Sequence, residues 1–158
     1  MELGQNENPN EITGFTPMEP GRYHVEIKDV DSRREITERN GKARCADVLT
    51  LRVLAGEVMG MEGKELRVFI DLVQDKTTGQ FTEGEGHKRW AYAAGLLNKG
   101  QRIEFRPDML RGCDVIVNVV KDDKGKYANV GSFGFDVWRV GDPDVAGVPT
   151  ATGGDINL

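Results

Sequence analysis

Cysteine and histidine are scarce in this chain of 158 residues, with two of each, and no apolar run approaches the length of a membrane span. Cys45 and Cys113 stand far apart without a C-x-x-C partner, which argues against a disulfide framework or a zinc site and reads as two small buried side chains. His24 alternates with apolar neighbours and is expected on the outward face of a strand. His87 opens a helical segment, and no H-E-x-x-H pattern joins the two, so both read as surface residues and no metal site is expected. Gly84-x-Gly86 lacks the third glycine of a dinucleotide fingerprint and the lysine of a P-loop. The run KDDKGK lacks the later acids of a calcium loop, and no G-x-S-x-G elbow is present. The expectation is a non-enzymatic protein that needs no cofactor. The first residues, MELGQNENPNEITG, have neither a basic nor an apolar leader region, which points to the cytoplasm and away from a membrane.

Basic residues are missing from both ends. Residues 1–21 carry four acids and residues 141–158 carry three, with no Lys or Arg in either, so of 26 acids 19 remain in the body against all 21 basic residues. The net charge of −5 therefore hides a slightly positive body between acidic ends. Residues 1–14 and 141–158 lack periodicity and are rich in Asn, Gly, Pro or Thr, and they read as flexible or loosely docked segments flanking one domain over 15–140.

Within that domain the apolar residues alternate. Tyr23, Val25 and Ile27 mark a first strand, Leu49, Leu51 and Val53 a second, and Asn40-Gly41 between them is a hairpin signal. Leu66, Val68, Ile70 and Leu72 mark a third strand with Arg67, Phe69 and Asp71 on its other face. Val115, Val117 and Val119 give a fourth, and YANVGSFGFDVWRV a fifth whose glycines imply bends or bulges. One segment has helical periodicity instead, with Trp90, Ala93, Ala94 and Leu97 on one face, a Thr82–Glu85 capping box before it, and Asn98, Lys99 and Gly100 as a stop.

Three strands, a helix and two strands is the order of a mainly β, five-stranded OB-type Greek-key barrel, with the helix between strands 3 and 4 closing one end. Trp90 and Leu97 are then expected to plug the barrel and Gly95 to allow close approach to a strand. A β-sandwich has the same element inventory and stays open. OB barrels bind single strands across strands 2 and 3 and the flanking loops. Here the first hairpin arm carries Arg33, Arg34, Arg39, Lys42 and Arg44, strands 2 and 3 carry Arg52, Arg67 and Phe69, and the last hairpin carries Lys121, Lys124, Lys126 and Tyr127. Arginines that grip phosphates beside an aromatic plane suit single-stranded DNA, although Phe69 facing a second copy of the chain or the N-terminal segment is the alternative.

From about Phe15 to Trp138 the chain resembles the phage-encoded family called domain of unknown function 669, through GFTPMEPGRYHVEI, VLTLRVLAGEVMGMEGKELRVFIDL, KRWAYAAGLL and YANVGSFGF. The resemblance implies a role in handling single-stranded DNA during phage replication or recombination and brings no site residues with it. The end, GGDINL, is similar to the tails of bacterial single-stranded DNA-binding proteins, with Asp155 before Ile156 and Leu158 as an apolar tip that would dock replication or recombination proteins. It lacks their acidic cluster and terminal aromatic. Other readings are an interaction module that oligomerises through the barrel face, a DNA mimic acting through the acidic ends, and an enzyme of unassigned chemistry.

Overall fold

A computed structural model describes residues 18–37, 43–97, 105–122, 125 and 127–151, with the backbone alone at 33, 34, 36, 37 and 43. The chain forms β1 (Gly21–Thr37), β2 (Ala43–Gly56), β3 (Glu65–Asp71), a short hairpin of β4 (Val73–Gln74) and β5 (Phe81–Thr82), helix α1 (Glu85–Ala93), then β6 (Asp114–Lys121), β7 (Ala128–Val130) and β8 (Val137–Trp138). Single 3₁₀ turns lie at Pro107–Leu110, Ser132–Gly134 and Pro143–Val145.

The main sheet is antiparallel with the order β3-β2-β1-β6-β7, and β8 also pairs with β6. Its two edges, β3 and β7, approach each other, so the sheet curls into a nearly closed barrel. Three register irregularities between β1 and β2, at His24/Val25, Ile27/Asp29 and Asp31/Arg34, give the long ribbon the extra twist that such curling needs. The alternation seen in the sequence falls inward as expected. Tyr23, Val25, Ile27, Leu49, Leu51, Val53, Leu66, Val68, Ile70, Val115, Val117 and Val119 all belong to one buried core. The Asn40-Gly41 turn lies outside the described residues.

Helix α1 follows the β4–β5 hairpin and drops Trp90 into that core, where its indole Nε1 donates to the Gly134 carbonyl at 2.8 Å. Leu97 is only half-buried. The helix begins at Gly84 rather than at Thr82, with the Gly84 amide donating to His87 Nδ1 at 3.3 Å. A methyl group on Gly86 would lie 2.9 Å from Ile70 Cγ2, so the first turn packs on β3 only because a glycine stands there. The helix also stops earlier than Asn98–Gly100. Gly95 takes a left-handed φ of 81°, its amide donates to Tyr92 O and the Leu96 amide to Ala91 O, which is a Schellman ending. A methyl group on Gly95 would meet nothing within 4 Å, so this glycine serves as a cap and not as a close approach to a strand. Arg139 closes the same end, donating to Tyr92 O at 2.9 Å and Leu97 O at 3.1 Å.

The expected fifth strand is interrupted. β7 and β8 lie in succession along one edge of β6, separated by the loop 131–136, whose ends return to Asn118 through Gly131 N–H to Asn118 O and Asn118 N–H to Asp136 O. Beyond β8, residues 141–151 pack on the outer face of the barrel, where Val145 and Val148 join Ile116 and Trp138 in a second small core. Composition alone reads that stretch as a loose tail, because its glycines and prolines mask the two valines that pack on Ile116. Among the described residues no helix is long and apolar enough to cross a membrane.

Candidate nucleic-acid interface

β3 alternates without interruption, burying Leu66, Val68 and Ile70 and leaving Glu65, Arg67, Phe69 and Asp71 on the outer face. The register sets Arg52 opposite Glu65, Thr50 opposite Arg67 and Val48 opposite Phe69. Arg52, Arg67 and Phe69 therefore share one outward surface, as the alternation required. Most cations of that surface are paired. Arg52 donates to Glu26 at 2.6 Å, Lys28 to Glu65 at 2.6 Å and Arg111 to Asp29 at 3.3 Å, while Arg44 lies 3.6 Å from Asp71. Arg67 is exposed and takes no part in these pairs. Beside it the Phe69 ring is 41% exposed, and the two form a small cationic and aromatic unit.

The other candidates are spread further. β1 carries Arg33 and Arg34 in its distal half, where only their backbone is described. Lys121 ends β6 next to the start of β1, 3.7 Å from Glu19, and Tyr127 stands just before β7 with 61% of its surface exposed. The arm and the last hairpin thus leave from opposite ends of β1. Arg39, Lys42, Lys124, Lys126, Asp155, Ile156 and Leu158 lie outside the described residues.

The structure brings two further aromatics to the Phe69 neighbourhood. The loop 131–136 sits on the seam between β7 and β3, and a methyl group on Gly134 would stand 3.2 Å from Val68 Cγ2 and 3.9 Å from the Phe69 carbonyl. Phe133 at its tip is 99% exposed and Phe135 is 42% exposed, the latter ring 3.7 Å from where a methyl group on Gly86 would stand. Ser132 and Phe133 both take left-handed backbone, with φ of 54° and 55°. The available signal was the run GSFGF, two phenylalanines between glycines inside a strand pattern, which marks a bulge that re-aims side chains.

Both histidines are buried, contrary to their reading as surface residues. His24 faces outward on β1, but residues 141–151 cover it. The Ala151 amide donates to Nδ1 at 3.0 Å, and Nε2 lies 2.6 Å from Asp114. His87 repeats the arrangement inside the barrel, with Nδ1 accepting the Gly84 amide and Nε2 2.6 Å from the buried Asp47. An Nδ1 that accepts a backbone N–H leaves the ring proton on Nε2 to donate to the carboxylate. The two pairs fix elements in place and have no third ligand, since no group of three metal-ligating side chains occurs among the described residues. Cys45 and Cys113 are free and half-buried, and burial pushes the Cys113 thiol up. At the barrel end Glu57 accepts from Arg22 Nη2 at 2.8 Å, Nε at 3.1 Å and the backbone amide at 2.8 Å, and these bonds hold its carboxyl below the usual range.

No family model and no curated protein sequence matches this chain. The resemblance to the phage-encoded domain rests on its residue pattern alone.

Proposed function

We propose that this chain is a non-enzymatic single-stranded DNA-binding protein of phage-type replication or recombination, built on an OB-type barrel in which β7 and β8 count as one interrupted fifth strand. The observation that carries the reading is the exposed Phe69 ring beside Arg67 on the outer face of β2 and β3. A flat apolar ring suits an unpaired base, and an arginine free of its neighbours' ion pairs suits the phosphate between two bases. Arg52 and Arg44 would exchange their carboxylate partners for phosphates, at the cost of breaking those pairs. The arm cations Arg33, Arg34, Arg39 and Lys42 and the loop cations Lys121, Lys124 and Lys126 with Tyr127 would extend the track at either end. Asp155, Ile156 and Leu158 would dock a replication or recombination protein.

Competition tests this reading. Labelled oligo-dT bound to the full chain should be displaced by unlabelled single-stranded DNA well before duplex DNA. Equal displacement by duplex would remove the role of base stacking.

A second reading has its own observation, the exposure of three phenylalanines, Phe69, Phe133 and Phe135, around one seam. A face of that kind also suits a second copy of the chain. Sedimentation at micromolar protein decides, because a dimer that DNA does not dissociate would assign the rings to self-association.

A further inference from the structure

We propose that Phe133, with Phe135 beside it, is a second base-stacking platform, so that the bound strand leaves the β2–β3 face at Phe69 and crosses the seam onto the loop 131–136. The inference rests on the single-strand reading and specifies its path.

Three observations carry it. The Phe133 ring gains nothing from packing, being 99% exposed, and it is held in that position by a backbone conformation that non-glycine residues adopt rarely and at a cost. The loop beneath it is clamped. Gly134 N–H and Asp136 N–H both donate to Gly131 O at 3.1 Å, the Phe135 N–H donates to Ser132 O at 3.1 Å, Trp90 Nε1 fixes the Gly134 carbonyl, and Arg89 Nε fixes the Phe135 carbonyl at 3.2 Å. A ring presented on so constrained a base loses little freedom when a ligand stacks on it. Cations also accompany the aromatic surface: Arg67 shares the outer face of β3 with Phe69, and Arg89 donates to the Phe135 carbonyl beneath the loop. A chain of flat apolar bases joined by anionic phosphates suits rings with cations at hand better than a continuous apolar partner surface would.

Phe133→Asn separates this role from a structural one. Asparagine tolerates left-handed backbone, so the variant should melt at or above the temperature of the parent chain. It should nevertheless bind oligo-dT about 5- to 150-fold more weakly, the loss of one stacked base. Phe133→Trp should retain binding and show indole quenching on titration with oligo-dT beyond any change in the parent chain. The inference is overturned if the parent chain binds oligo-dT in a Phe69-dependent way while Phe133→Asn binds as tightly and Phe133→Trp shows no quenching. It is equally overturned if Phe133→Asn alters only the sedimentation of the free protein, which would make the loop a contact between copies. Absence of oligo-dT binding by the parent chain would instead remove the single-strand reading itself, and the inference with it.

Discussion

The Ala151 amide donates to His24 Nδ1 across 127 residues of chain, and this one bond ties the C-terminal segment to the first strand. Together with Val145 and Val148 over Ile116, it converts a stretch that looks like tail into part of the folded body. A chain ending at Ala151 should therefore keep its melting temperature and its oligo-dT affinity and lose only the docking of a protein partner. A chain ending at Val140 should be destabilised, by about 1.5–3 kcal/mol for the re-exposed Ile116 alone. His24→Ala, which leaves that amide unpaired, should speed hydrogen exchange at residues 145–151 while the barrel strands stay protected. Equal melting of both truncations would remove the structural role of residues 141–151.

Phe69 and Trp90 should respond in opposite ways. Phe69→Ala is expected to weaken oligo-dT binding by about 1–3 kcal/mol with little change in stability, because the ring is half in solvent. Trp90→Ala should cost about 3–5 kcal/mol of stability, since it leaves a cavity in the barrel core and the Gly134 carbonyl without its donor. Thermal melts and anisotropy titrations of the two variants check both halves. A Phe69→Ala protein that fails to fold would place that ring in the core.

Acid should find a weak point at Glu57. Its carboxyl is held below the ordinary value of 4.5 by the hydrogen bonds from Arg22, so the stabilisation is complete above that value and is lost as pH falls through the lower folded-state one. Glu57→Gln should lower the melting temperature at neutral pH and flatten its decline between about pH 5 and pH 3. Parallel declines for the two proteins would mean that other carboxylates govern the acid limb.

Cys113 should resist alkylation. Burial is the main cause of its raised thiol value, with the neighbouring Asp114 carboxylate adding to it, so at pH 8 its thiolate fraction is smaller than that of a free cysteine. Mass spectrometry after a short iodoacetamide pulse should find Cys113 unmodified in the native chain and modified in urea. Equal labelling in both would show that the site opens.

Much of the barrel was legible because strands bury every second residue. Tyr23, Val25 and Ile27, Leu49, Leu51 and Val53, and Leu66, Val68 and Ile70 all point inward as the alternation demanded. The helix was legible from its apolar residues Trp90 and Ala93, but its end was misplaced because a glycine can cap a helix or sit in one, and Gly95 looked like the latter. His24 looked exposed for a different reason. Alternation says which residues leave the barrel interior, and it carries no information about a distant segment that covers them from outside. Phe133 was hidden by the same limit: a bulge in GSFGF was foreseeable, whereas the direction in which it throws each ring depends on backbone angles that composition does not set. The outward placement of Arg67 and Phe69 was legible because both lie in the middle of a regular strand. The pairing of Arg52, Arg44 and Lys28 with carboxylates from neighbouring strands follows from register and was not visible along the chain.

The most direct measurement is fluorescence anisotropy of labelled oligo-dT with the full chain across a salt series. The account predicts binding that weakens with salt, with a log-log slope of about −2 to −3.5 if some three to five phosphates are neutralised, and with duplex DNA bound more weakly at every salt concentration. No binding of oligo-dT at low salt would contradict it.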